Sequence, residues 1–256
     1  HTIEELSLNY DLKVDYVNLD ANGMIDYNHL EKLLNNSSSK TLVSLMHVNN
    51  EIGNRIDIKQ VADLCKKNNT LFHSDTVQSV GHYNLNLSEI PIDFATVAAH
   101  KFHGPKGVGF AFIRKNSGLK PLIVGGQQER GLRAGTESVY AIAGLNKALQ
   151  ISYNNLDEES KYIKSIKNYF KDRLLQEIPN SKLNGYCGDD SLSTYTLLNV
   201  LLPISSEIGT MLLFQLDLKG IACSKGSACQ SGSIGGSHVL AEILSEEDMQ
   251  KPSLRF

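Results

Sequence analysis

Four apolar runs of strand length recur along the first half of the chain, at 41–48, 71–74, 94–99 and 107–113. The segments between them constrain the fold more than any other feature. Short apolar runs bounded by turn residues read as buried strands. After the first run, Asp57 precedes Ile58, Val61, Ala62 and Cys65, which recur at helical spacing, so this stretch reads as a capped amphipathic helix. Upstream, residues 14–19 alternate like a further strand, 20–23 form a turn, and Asp26 caps a helix through Leu34. Strand, helix, strand alternation implies an α/β fold with a mainly parallel central sheet and helices on both faces. Ligands of such sheets bind at the carboxyl ends of the strands. Three of the runs lead into polar, chemically capable residues there: Asn50, Asp75, and His100 with Lys101.

The second half has a different rhythm. A glycine- and charge-rich loop spans 125–136, and a helix starts at Ser138. Polarity rises over 153–158, which predicts a boundary between a large domain, 1–153, and a smaller C-terminal α+β domain, 154–256. The smaller domain is expected to hold a helix over 159–177, a strand over 195–202, a helix over 206–218 and a short strand over 221–223. A loop of small residues follows over 224–237, and Leu254-Arg255-Phe256 reads as the start of a strand. The abrupt start and end imply a piece of a longer chain.

Composition narrows the classes of function. A net charge of −3 without a basic stripe argues against nucleic acid as a direct partner. No apolar run approaches the roughly 18 residues that span a bilayer, so no membrane role is expected. The 4 cysteines, at 65, 187, 223 and 229, show neither metal spacing nor a disulfide framework, which excludes a metal site of that kind and fits a reducing cytoplasm.

Lys101 sits between an apolar run and a glycine-rich loop, where partial desolvation would make its amine a nucleophile able to form a Schiff base. The electron sink that usually partners such a lysine is pyridoxal 5'-phosphate. Asp75 could keep the ring nitrogen of that cofactor protonated, Gln78 could meet its ring hydroxyl, and Asn50 could orient ring or substrate.

Five motifs in register carry a family resemblance: His47-Val-Asn-Asn-Glu-Ile-Gly53, His73-Ser-Asp-Thr-Val-Gln-Ser-Val-Gly81, Ala99-His-Lys-Phe-His-Gly-Pro-Lys-Gly107, Glu129-Arg-Gly-Leu-Arg-Ala-Gly-Thr136 and Gly226-Ser-Ala-Cys229. Together they resemble the cysteine desulfurases among the class V aminotransferase-like enzymes. The resemblance implies the aspartate aminotransferase-like fold of pyridoxal-phosphate-dependent transferases. It also implies removal of sulfur from L-cysteine, giving L-alanine and a persulfide that feeds iron–sulfur cluster assembly or tRNA thiolation through an acceptor protein. By that likeness Lys101 would hold the cofactor as a Schiff base and move the substrate Cα proton. Asp75 would pair with the ring nitrogen, Gln78 with the ring oxygen, and His100 with the phosphate. Asn50 would contact cofactor or substrate, and Arg255 would bind the substrate carboxylate. Thr136 would reach the phosphate of a second subunit, so a homodimer is implied. Cys229 would be the sulfur nucleophile that separates desulfurases from plain transaminases. A selenocysteine lyase or an aminotransferase on the same scaffold is the alternative enzyme, and a non-catalytic partner protein the alternative class. Two departures stand out: Ala98 occupies the place of a family serine that contributes a hydroxyl to the phosphate, and the family's ring-stacking histidine falls upstream of the matching region.

Overall fold

The computed structural model describes residues 2–225 and 236–256. In chain order, helices α1 (Thr2–Tyr10) and α2 (Tyr27–Asn35) precede β1 (Leu42–Met46), α3 (Ile58–Lys67), β2 (Leu71–Asp75), β3 (Phe94–Ala98) and β4 (Gly109–Ile113). One sheet has the order β1-β2-β3-β4, with the first three strands parallel and β4 antiparallel to β3. Asp26 caps α2 by accepting from the amides of Asn28 and His29, and Asp57 caps α3 through the amide of Gln60. Both caps were legible in sequence.

Burial along β2 and β3 alternates, so the two faces of the sheet differ. Phe72 and Ala95 point into a core with Leu30, Leu34, Val61 and Cys65 from α2 and α3. Fully burying a side chain such as Phe72, which is 0% exposed, contributes roughly 1.5–3 kcal/mol. His73, Asp75, Thr96 and Ala98 lie half-buried on the other face.

The helix α4 (Val139–Glu177) runs unbroken for 39 residues, through the point expected to divide the domains. The helix expected over 159–177 is its second half. Residues 153–158 contain no glycine or proline, so nothing there breaks a helix. Polarity rises because α4 passes from one core to another. Leu145 packs with Val97 and Phe102, whereas Phe170 and Leu174 pack with Leu198, Val200 and Leu254. That second core lies beside a three-stranded antiparallel sheet, β5 (Lys182–Leu183), β6 (Asn199–Leu201) and β7 (Ser253–Arg255), in the order β5-β6-β7. Helices α5 (Ser206–Leu218), α6 (His238–Ala241) and α7 (Glu246–Met249) complete the described chain.

Four expected strands are corrected. Residues 14–19 form only a single bridge, Leu19 to Ile25, and join no sheet among the described residues, so β1 stands at the sheet's edge. The edge position also leaves Leu42 54% exposed, so β1 is not the buried strand that its apolarity implied. Residues 221–223 are irregular, and the pairing falls on the next residue, Ser224, which exchanges backbone hydrogen bonds with Arg255. The strand expected over 195–202 contracts to β6.

Candidate active site

Parallel pairing aligns the carboxyl ends of the first three strands. Met46 stands opposite Asp75, and Asp75 opposite Thr96. The ladder continues one step further, since the amide of His47 donates to the Asp75 carbonyl at 2.9 Å and that of Thr76 to the Thr96 carbonyl at 3.1 Å. Three loops therefore leave the sheet at one edge: the turn 49–54, the turn 76–81 and the segment 99–104. They carry Asn50, Gln78 and Lys101.

Asp75 accepts the amide of Val77 at Oδ1, and Oδ2 has no partner among the described residues. The loop position thus fixes the carboxylate while leaving one oxygen available. His73, two residues earlier on the same face, hydrogen-bonds Ser44 Oγ through Nδ1 at 2.8 Å and lies 3.4 Å from Thr96 Oγ1 through Nε2. Burial lowers the pKa of His73, opposed by the Asp75 charge.

Lys101 lies in a 3-10 helix, Ala99–Phe102, and its side chain is exposed. The partial desolvation expected of it is absent. In a three-residue repeat, positions i and i+3 share a face, and here Ala99 and Phe102 take the buried face at 0% exposure. His100 and Lys101 are thereby turned outward. His82 Nε2 meets the Lys101 carbonyl at 3.1 Å, which ties the short helix to the loop after β2.

Arg255, at the end of β7, donates from Nη1 to the Asn50 carbonyl at 2.6 Å. Two candidate residues 205 positions apart are thus in contact. Neighbouring groups of the same turn also bond to the second half of the chain. Asn199 Nδ2 donates to the Glu51 carbonyl at 2.8 Å, Cys187 Sγ to the Ile52 carbonyl at 3.0 Å, and the Thr194 amide to the Gly53 carbonyl at 2.8 Å. Thr136, by contrast, lies exposed on the loop before α4 and makes no side-chain hydrogen bond among the described residues. Cys229 lies outside the described residues.

Sequence reasoning passed over a buried polar group beside these residues. His47 is 3% exposed, with Nδ1 unpartnered among the described residues, and burial together with the Arg55 charge lowers its pKa to about 4. Tyr83 stacks at a tilt 6.1 Å from His47 and receives the Arg55 guanidinium over its ring at 5.0 Å, while its hydroxyl donates to Thr194 Oγ1 at 3.0 Å. Glu51 is 1% exposed, with Oε1 unpartnered among the described residues. The available signal was a histidine interrupting an apolar strand run and an acid inside a turn motif.

The family model for class-V aminotransferases matches residues 1–254. The chain belongs to that family. It is 36% identical over 256 residues to the cysteine desulfurase IscS of Dictyoglomus turgidum, covering 100% of this chain and 62% of the relative. A cysteine desulfurase IscS of Clostridium botulinum is 37% identical over 244 residues, or 95% of this chain and 60% of the relative. Among solved structures, a NifS-like protein superposes with a TM-score of 0.86 at 33% identity, over 100% of this chain and 65% of the other. The chain thus spans about three-fifths of the length of the curated relatives it matches.

The side chains of this member of the class-V aminotransferase family suit the family's pyridoxal phosphate. An exposed primary amine, a carboxylate with one uncommitted oxygen and a half-buried amide stand on adjacent loops at one sheet edge. That donor set matches the aldehyde, the ring nitrogen and the ring oxygen of the cofactor.

Proposed function

We propose that this chain is the larger part of a cysteine desulfurase, and that it takes L-cysteine to L-alanine with transfer of the sulfur to Cys229. The reading rests on one observation above all: the loops bearing Asn50, Gln78 and Lys101 leave one sheet edge together, and Arg255 reaches that edge from the far end of the chain. In this reading Lys101 bonds the cofactor, Asp75 holds its ring nitrogen, Gln78 its ring oxygen and His100 its phosphate. Bound there, pyridoxal phosphate supplies an electron sink for charge developing at the substrate Cα.

The chain's own groups do the rest. Arg255 binds the substrate carboxylate through its planar fork and so fixes the orientation of Cα. Lys101 carries the proton to and from Cα, a role that its outward position permits. Cys229, as thiolate, attacks the substrate sulfur. The new S–S bond forms as the C–S bond breaks, its electron pair stays with the carbon fragment, and protonation of that fragment gives alanine. Asn50 supports Arg255 through its carbonyl.

A homodimer is part of the proposal. Leu122 and Val124 before Thr136 in the chain and Tyr140 after it are 95%, 76% and 85% exposed, apolar side chains that a second copy entered by Thr136 would cover. An acceptor protein in iron–sulfur cluster assembly or tRNA thiolation would receive the persulfide. A reducing, cytoplasmic setting suits the free thiols of Cys65, Cys187 and Cys223.

Replacing Cys229 by Ser in the full-length protein should abolish sulfide release from L-cysteine while leaving the cofactor's absorbance intact. Lys101→Ala should remove borohydride-trappable cofactor altogether. Sulfide release at the normal rate from the Cys229→Ser protein would rule the assignment out.

A further inference from the structure

We propose that Glu51 is a positioning residue, and that it acts by anchoring the start of α6 to the turn that holds Arg255. The inference rests on the desulfurase reading above. Glu51 is 1% exposed, an unusual place for a carboxylate unless a specific contact holds it. Its Oε2 accepts a hydrogen bond from Ser237 Oγ, 186 positions away in sequence. The same serine oxygen accepts the amide of Leu240 at 3.0 Å, which makes Ser237 the N-cap of α6. Donor and acceptor capacities of this hydroxyl are therefore committed in opposite directions, one to the helix and one to Glu51.

Glu51 is itself rigidly held. Its amide donates to Asn49 Oδ1 at 2.8 Å, and its carbonyl accepts from Asn199 Nδ2 at 2.8 Å. The adjacent carbonyl is that of Asn50, which receives Arg255. One turn thus fixes two things at once: the guanidinium that would take the substrate carboxylate, and Ser237 at the start of α6, which follows Cys229 in the chain. Ser237 lies eight residues beyond that cysteine. A thiol that must meet a substrate sulfur depends on where its segment is tied down, and a misplacement of about 1 Å can cost on the order of a hundredfold in rate. Helix capping alone would not require an acid at 51. The buried acid is what registers the cap against the site.

The test uses four variants of the full-length protein, each scored per mole of bound cofactor. Ser237→Asp still caps the helix, because aspartate is as good a cap as serine, but it sets a second carboxylate against Glu51. Glu51→Ala removes the anchor from the other side, Ser237→Thr restores the hydroxyl, and the fourth variant combines Ser237→Asp with Glu51→Ala. The expected result is a fall of about tenfold in kcat for alanine formation in Ser237→Asp and in Glu51→Ala, with KM for L-cysteine within about threefold of wild type. Ser237→Thr should retain most of the rate. The combined variant should lose no more than either single one, since both act through one contact.

Wild-type rates in Ser237→Asp and Glu51→Ala, or a combined loss equal to the product of the single losses, overturn the proposal and leave the desulfurase reading standing. Loss of alanine formation in the wild type itself overturns that reading first. Should Glu51→Ala fail to fold, Ser237→Asp against Ser237→Thr decides.

Discussion

Arg255 Nη1 donates to the main-chain carbonyl of Asn50 across 2.6 Å and so closes the two ends of the candidate site on each other. The contact works because β7 is paired to β6 with Asn199 opposite Arg255, and Asn199 in turn bonds the carbonyl of Glu51. The arginine is held by backbone rather than by an acid, which leaves its charge uncompensated at that contact. A guanidinium in that state is suited to an incoming carboxylate.

Arg255→Lys should therefore raise KM for L-cysteine far more than it lowers kcat. Lysine keeps the charge but loses the fork, and a charge-assisted hydrogen bond is worth about 1.5–3 kcal/mol, or roughly 10- to 100-fold in binding. Steady-state kinetics at several cysteine concentrations separate the two constants. An unchanged KM would remove Arg255 from the substrate site.

Ala98 offers the opposite kind of test, a gain. It lies half-buried at the end of β3, on the face that bears Asp75 and Thr96, where the family resemblance leads one to expect a serine. Ala98→Ser adds a hydroxyl there without altering the strand. A net hydrogen bond contributes about 0.5–1.5 kcal/mol, so the Kd for pyridoxal phosphate should fall by roughly 2- to 10-fold. Fluorescence titration of the cofactor-free protein measures it, and an unchanged Kd would mean that the hydroxyl does not reach the phosphate.

The sequence revealed local features and missed those that depend on distant partners. Caps at Asp26 and Asp57, the α3 core face and the bounds of α5 were readable because a few consecutive residues determine them. The alignment of the strand ends that lead into Asn50, Asp75 and Lys101 was readable because parallel pairing gathers them. Alternation at 14–19 misled, since a strand needs a neighbour that periodicity cannot reveal. Lys101 was expected to be desolvated from its place after an apolar run. The 3-10 repeat of Ala99 and Phe102 reversed that, and only backbone geometry shows it. The Glu51 contact to Ser237 and the burial of His47 depend on partners far along the chain, which no local pattern encodes.

His47 makes stability depend on pH in a predictable direction. Its pKa falls from 6.5 to about 4 on folding, through burial first and the Arg55 charge second. Between those values the unfolded chain binds a proton that the native state refuses. Stability contributed by neutral His47 is thus complete above about pH 6.5 and is lost as pH drops towards 4. At about 1.4 kcal/mol per pH unit the full loss is on the order of 3 kcal/mol. Urea unfolding of wild type and His47→Gln at pH 7.5 and 4.5 should show the larger drop in wild type. Equal drops would mean that His47 is not the group responsible.

Gly81 ties stability to the placement of Lys101. Its φ is +85°, and a Cβ added there would lie 2.6 Å from Phe102 Cβ and 3.1 Å from Cγ. Phe102 cannot yield easily, being 0% exposed and packed among Val80, Val97 and Leu145. Gly81→Ala therefore combines left-handed backbone strain of about 1–2 kcal/mol with overpacking of about 1–3 kcal/mol. Relief would have to come from moving the 3-10 helix, and Lys101 is the residue next to Phe102. The variant should lose roughly 2–5 kcal/mol in urea unfolding and bind pyridoxal phosphate more weakly. Because the nearest atom is Phe102 Cβ rather than the ring, adding Phe102→Leu should not restore either property. Full recovery in the double variant would show that the ring, and not the backbone approach at Gly81, sets the position of Lys101.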